Sequence, residues 1–143
     1  MAENPKPNLG DLLGALPDAA RGEQFETLVG RSGLRIVRIV SDGQASPPGE
    51  WFDQNDDEWV VVMTGRAGLR IEGESDVRTL APGGYVFLPA HCHHRVEWTD
   101  PAGPTVWLAV HMAPVTDGWV VRGPRNVAGR RVAHELSWPG SHL

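Results

Sequence analysis

The chain has 143 residues, of which 41% are hydrophobic and 22% charged, a length and composition that suit one globular domain. Its 17 glycines and 12 prolines argue against a helical bundle and favour many short elements joined by tight turns. The net charge of −5 argues against nucleic acid as a partner, and no apolar run approaches the roughly 20 residues that span a bilayer. The single cysteine, Cys92, and the polar start of the chain predict a cytoplasmic protein.

The first 24 residues are predicted to form an N-terminal arm. Residues 1–8 are rich in proline and asparagine, which predicts a frayed end of the chain. Leu9–Leu16 is apolar enough for one or two helical turns, which Pro17 would end. We therefore expect a short helical segment ahead of the main domain.

Residues 25–113 carry strand signals at roughly ten-residue spacing, separated by glycine- and proline-containing turns. Trp59–Met63 is a continuous apolar run, typical of a strand buried on both faces, whereas Ala67–Glu72 alternates between apolar and polar residues. Many short strands of this kind predict an antiparallel sandwich or barrel. The predicted strands are Phe25–Val29, Leu34–Val40, Trp59–Met63, Ala67–Glu72, Val77–Leu80, Tyr85–Leu88, His94–Trp98 and Val106–His111.

Residues 114–143 lose this periodicity and are predicted to form an irregular tail or a swapped arm. The segment carries four arginines against two acidic residues, whereas residues 1–113 carry nine basic and 16 acidic residues. This basic segment could lie on the acidic body of the protein or contact another anionic partner. Trp119–Val121 could add an edge strand.

Two segments concentrate residues that could perform chemistry. The first, residues 50–58, holds five carboxylates in nine residues and ends at Glu58, which is followed after six residues by Gly65. The second begins at Gly83 and has Pro89 after five further residues, then His91 two positions later and His94 three positions after that.

This order and spacing resembles the cupin superfamily. The resemblance implies an all-β, double-stranded β-helix (jelly-roll) barrel that holds a divalent metal on three histidines and one glutamate. Glu58 and His94 match the family's glutamate and second-motif histidine, while His91 stands where the family has a glycine. The first-motif histidine pair falls on Trp51 and Asp53 or on Phe52 and Gln54, so neither alignment supplies a histidine.

Other side chains could replace the missing pair. Carboxylate and amide oxygens suit the harder cations, which makes Asp53 or Gln54 a ligand candidate, and His91 could supply a nitrogen. The predicted metal ligands are thus Asp53, Gln54, Glu58, His91 and His94, with zinc, iron or manganese as the metal. The resemblance further implies a small-molecule substrate and a homodimer. The alternative is a metal-free binding or sensory barrel.

Strand alternation gives expectations for the neighbouring residues. His93 should face outward because His94 faces inward, and Cys92 is expected to be a small buried thiol. His111 shares a face with core residues of the last strand and is expected in the core or at its rim. Trp51 and Trp98 are predicted to form walls of a pocket.

Overall fold

The computed structural model describes residues 3–114, and within them the chain is all β. Each of the eight predicted strands is present, with boundaries that differ from the prediction by no more than two residues. The strands are β1 (Gln24–Arg31), β2 (Leu34–Ser41), β3 (Asp57–Thr64), β4 (Ala67–Ile71), β5 (Arg78–Leu80), β6 (Tyr85–Leu88), β7 (His94–Thr99) and β8 (Thr105–Met112).

The strands form two antiparallel sheets that enclose the core. The larger sheet has the order β1-β2-β8-β3-β6, and the smaller has the order β5-β4-β7. Side chains from both sheets meet between them, as alternation along each strand requires. The largest buried cluster consists of Val60, Val62, Ala67, Leu69, Leu80, Val86, Leu88, Trp107 and Ala109.

The register of the larger sheet places polar residues in one row. Arg35 on β2 pairs with His111 on β8, and His111 pairs in turn with Glu58 on β3. Two residues further along β2, the next row that faces the same side is apolar. Val37 on β2 pairs with Ala109 on β8, which pairs in turn with Val60 on β3. Ionisable side chains from three strands therefore meet at this end of the larger sheet.

The predicted N-terminal helical segment is wrong. Residues 3–23 contain turns but no helix. Asp11 accepts hydrogen bonds from the backbone N–H of Leu13 and, through its carbonyl, from that of Gly14. This side-chain turn competes with the helical ladder, glycine has low helix propensity, and Ala15 adopts a left-handed φ of 49°.

A β-bulge overturns the expectation for Trp98. The pairing of β4 with β7 shifts register between Gly68 and Leu69, so that Val96 faces the interior while Trp98 lies over the outer side of Gly68. One extra residue in a strand reverses the alternation beyond it. Trp98 is consequently 37% exposed and is no part of the interior wall.

The tail predictions, including the edge strand at Trp119–Val121, lie outside the described residues. Among residues 3–114 there is no helix of the length and apolar character needed to cross a membrane.

Candidate functional site

A cavity of about 320 Å³ lies between the two sheets. Most of its wall is hydrocarbon, and its polar side chains come from several different strands and from the segments that precede β1 and β3. Concave, mainly apolar cavities with a few convergent polar groups are the usual form of small-molecule sites. The lining residues are Glu23, Phe25, Thr27, Arg35, Val37, Ile39, Phe52, Gln54, Glu58, Val60, Leu69, Leu88, His94, Val96, Trp107 and His111.

Glu58 is the central acidic group of this cavity, and its side chain is only 9% exposed. Its Oε1 lies 3.6 Å from Nε2 of His94, and its Oε2 lies 3.4 Å from Nε2 of His111. Both distances exceed the range of a good hydrogen bond, so the carboxylate loses water without gaining a close partner. Burial raises the pKa of Glu58 to about 7, although the positive charge of Arg35 opposes the rise.

The imidazole ring of His94 is held in place by a hydrogen bond and by a stacking contact. Its Nδ1 lies 2.8 Å from the carbonyl oxygen of Cys92, and its ring stacks on Phe52 with centroids 5.4 Å apart. A carbonyl can only accept, so Nδ1 carries the proton and the lone pair of neutral Nε2 points toward Glu58. Burial lowers the pKa of His94, with the Cys92 carbonyl acting in the opposite direction, and this favours the neutral ring.

His111 and Arg35 join the site from strands that are distant in sequence. Burial lowers the pKa of His111, and the charge of Arg35 adds to the effect. Strand alternation correctly predicted that His111 faces inward, but not that it would stand opposite Glu58. Arg35 gave no signal in the sequence, because its role depends on the pairing of β2 with β8.

The loop before β3 carries the residues at the two possible positions of the family's histidine pair. Phe52 and Gln54 line the cavity, whereas Trp51 and Asp53 do not. The backbone of Phe52 bridges to His94 in both directions, with N···O distances of 2.7 and 3.3 Å. The pair that faces the interior is thus Phe52 and Gln54, which is separated from Glu58 by three residues.

Asp53 and His91 are placed on the rim, outside the cavity. Nδ1 of His91 lies 2.7 Å from Oδ1 of Asp53, and the two side chains are 62% and 51% exposed. His93 contacts the other oxygen of Asp53 at 3.2 Å and Glu72 at 3.0 Å, and the bonds to Glu72 and Asp53 raise the pKa of His93. His91 has a φ of 62°, which explains why a glycine suits this slot and why the side chain leaves the interior.

Comparison with known proteins identifies the family. The model of the cupin domain family matches residues 37–111, more than half of the chain. The chain belongs to the cupin family. A crystal structure from Ralstonia eutropha JMP134, of a protein with a provisional assignment as mannose-6-phosphate isomerase, shares 51% identity with this cupin. That match covers 76% of this chain and 100% of the other, with a TM-score of 0.74.

Two further structures show the same fold at lower identity. A cupin superfamily protein from Desulfitobacterium hafniense DCB-2 is 17% identical, covers 78% of this cupin and 97% of its own chain, and gives a TM-score of 0.60. The protein KdgF from Halomonas sp. is 23% identical, with coverage of 68% and 87% and a TM-score of 0.54. No protein of curated function matches this cupin.

The donor groups of this cupin do not fit the family's usual metal centre. Neither Phe52 and Gln54, which line the cavity, nor Trp51 and Asp53 include a histidine, so Glu58 and His94 are what the chain keeps of the usual set. Within residues 3–114, no group of three or more His, Cys, Asp or Glu side chains is arranged to hold a metal ion. Of the five predicted ligands, Gln54, Glu58 and His94 face one cavity, while Asp53 and His91 face each other on the rim.

Proposed function

We propose that this cupin binds a small polar molecule in its cavity and that Glu58 moves a proton to or from it. The observation that carries the proposal is a buried carboxylate facing two imidazole Nε2 atoms at 3.4 and 3.6 Å, in a cavity large enough for a small organic molecule. Proton transfer at a carbon next to a carbonyl is the step that aldose–ketose isomerases and many lyases share.

The electrostatics of the site support this role. A general acid or base works best when its pKa lies near the working pH, and that of Glu58 is about 7. His94 and His111 favour their neutral forms, so neither holds Glu58 as a permanent ion pair. Glu58 can therefore take a proton from a bound molecule and return it at another atom.

The geometry supplies the partners of such a transfer. The apolar wall from β3, β4 and β8 excludes water and strengthens electrostatic interactions inside the cavity. Gln54 faces the same space, and its amide N–H can donate a hydrogen bond to the oxygen whose charge grows as the proton leaves carbon. The Nε2 atom of neutral His94 can accept a hydrogen bond from a hydroxyl group of the bound molecule. Glu58 is thus the proposed base, with His94 and Gln54 as orienting groups.

The test is hydrogen–deuterium exchange at carbon, followed by proton NMR in D₂O. A panel of small hydroxy-ketones, keto acids and aldoses is incubated with the protein, and loss of the signal next to the carbonyl is measured. We expect exchange with at least one compound, and at least about a hundredfold slower exchange in Glu58→Gln, the usual contribution of a positioned acid or base.

Glu50→Gln is the matched control, because Glu50 belongs to the same acidic segment but is exposed and lies outside the cavity lining. It should exchange at the rate of the unaltered protein. Exchange at the buffer rate with every compound, or an equal rate in Glu58→Gln, would contradict the proposal.

Divalent metal binding is the second candidate function. It is favoured by the convergence of Gln54, Glu58 and His94, three of the predicted ligands, on one cavity. Neutral imidazole and ionised carboxylate are the forms that bind zinc, iron or manganese, which would supply Lewis acidity there. Elemental analysis of protein purified without added metal tests whether the protein binds a divalent metal. Near-zero metal in the unaltered protein would exclude this candidate, whereas metal lost in Glu58→Ala and His94→Ala would establish it.

A homodimer and a cytoplasmic location complete the proposal. The dimer is supported by β1, an edge strand whose eight residues are all exposed and include Phe25 and Val29. An uncovered edge strand with apolar side chains commonly pairs with another chain. The location rests on the single cysteine, which requires no oxidising compartment.

A further inference from the structure

Arg35 is an exposed cation at the edge of the cavity, and the described part of the protein leaves its charge without a close partner. Among the described residues that line the cavity it is the one arginine or lysine, and its guanidinium group makes no hydrogen bond or ion pair with any of residues 3–114. Two other arginines of the barrel are paired. Arg38 binds Glu26 at 2.6 Å, and Arg78 binds Glu74 at the same distance.

The sheet fixes where this charge lies relative to Glu58. Arg35, His111 and Glu58 are successive register partners on β2, β8 and β3. Neighbouring strands are about 4.8 Å apart, so the two backbone positions are separated by roughly 10 Å. A molecule that touches both side chains therefore needs only a few bonds between the group at Arg35 and the atom that reacts at Glu58.

The surrounding charges select the kind of anion. Glu58 lies in the same row of the sheet as Arg35, and its carboxylate disfavours a doubly charged group such as a phosphate at this end of the cavity. Glu23 lines the far end, where it accepts a hydrogen bond from Ser41. A single guanidinium offers a planar fork that matches one carboxylate in bidentate fashion. Val37, Ile39 and Trp107 supply an apolar surface for the rest of the molecule.

We infer that the cavity selects small monocarboxylates and that Arg35 is the residue that binds their carboxylate group. The inference rests on the proposed function, since it names the class of molecule that the cavity takes. Arg35 is accordingly a specificity residue, whereas the proton transfer belongs to Glu58.

Isothermal titration calorimetry with matched acids and amides tests the inference. The probes are benzoate, phenylacetate and 3-phenylpropionate, each compared with its neutral amide of nearly the same shape. We expect at least one acid to bind at least tenfold more tightly than its amide. In Arg35→Gln the acid should lose at least tenfold in affinity and the amide less than twofold.

Arg31→Gln is the control for the loss of one positive charge, because Arg31 is exposed on β1 and lies outside the cavity lining. It should keep the preference for the acid, and Arg35→Lys should keep part of it. Circular dichroism confirms that each variant is folded. The titrations are repeated in EDTA to detect acids that are bound by a metal ion. Binding through a metal would be lost in EDTA and retained in Arg35→Gln.

Equal affinity for acid and amide, an unaffected acid in Arg35→Gln, or no saturation by any acid would overturn the inference. None of these results would contradict the proposed function, which is tested separately by hydrogen–deuterium exchange at carbon. Glu58→Gln should abolish that exchange while it keeps the preference for the acid.

Discussion

At the scale of single residues, Glu58 loses its hydration on folding and gains no close partner in return. Its pKa rises to about 7 from an ordinary 4.5, and burial is the main cause. The folded protein thus holds this proton more tightly than the unfolded chain. The associated stability is fully present below about pH 4.5 and is lost as the pH rises through about 7.

Glu58→Gln should therefore stabilise the protein at alkaline pH, because the amide is never charged. We expect equal free energies of unfolding near pH 4.5 and an advantage for the variant of up to about 3 kcal/mol at pH 8. Urea denaturation at several pH values measures it, with Glu50→Gln as a variant that should follow the unaltered protein. Parallel pH curves for the unaltered protein and Glu58→Gln would show that Glu58 ionises freely in the fold.

At the scale of elements, the turn after β3 carries the chain from the larger sheet to the smaller one. Gly65 adopts a left-handed φ of 81°, and a Cβ there would lie 2.7 Å from Cα of Thr105 and 2.8 Å from the carbonyl oxygen of Pro104. The next residue, Arg66, exchanges hydrogen bonds with the Thr105 hydroxyl. Glycine is required here both by backbone conformation and by the close approach of β8.

Gly65→Ala and Gly73→Ala separate these two requirements. Gly73 has a φ of 90° but open space around it, so its substitution costs only the backbone strain of about 1–2 kcal/mol. Gly65→Ala should cost at least about 2 kcal/mol more, because β8 must move away. Chemical denaturation of both variants measures the difference, and equal losses would mean that the turn relaxes without disturbing β8.

At the scale of the whole molecule, five strands face three, and this mismatch leaves one side of the larger sheet uncovered. All eight residues of β1 are exposed, with Phe25 at 67% and Val29 at 49%. Phe25 also lines the cavity, so the uncovered strand borders the site. A second copy that covers β1 would therefore also narrow the entrance to the cavity.

Light scattering coupled to gel filtration should give a mass twice that of one chain. Val29→Lys should shift the protein toward the monomer, because the new charge would be buried at the contact. Tyr85→Lys is the control, since Tyr85 is an exposed apolar residue at the opposite edge of the same sheet. A monomeric mass for the unaltered protein, or an undisturbed dimer in Val29→Lys, would contradict an interface at β1.

The sequence by itself determined the strands, the family and part of the site. Alternation and turn residues placed all eight strands, since hydrophobic period and glycine or proline punctuation are local properties. Motif spacing singled out Glu58 and His94, which the fold brings together. The N-terminal helix failed, because a local Asp11 turn with two nearby glycines outweighed a short apolar run.

Only the tertiary structure decided which side chains share the cavity. Arg35 and His111 meet Glu58 through the pairing of three strands that are far apart in sequence. A single bulge turned Trp98 outward, and a left-handed residue turned His91 to the rim, where Asp53 binds it. The physical reason is that strand register and backbone handedness decide which side of the sheet a side chain occupies. A shift of one residue in register, or one residue in the left-handed conformation, moves the side chain to the other side.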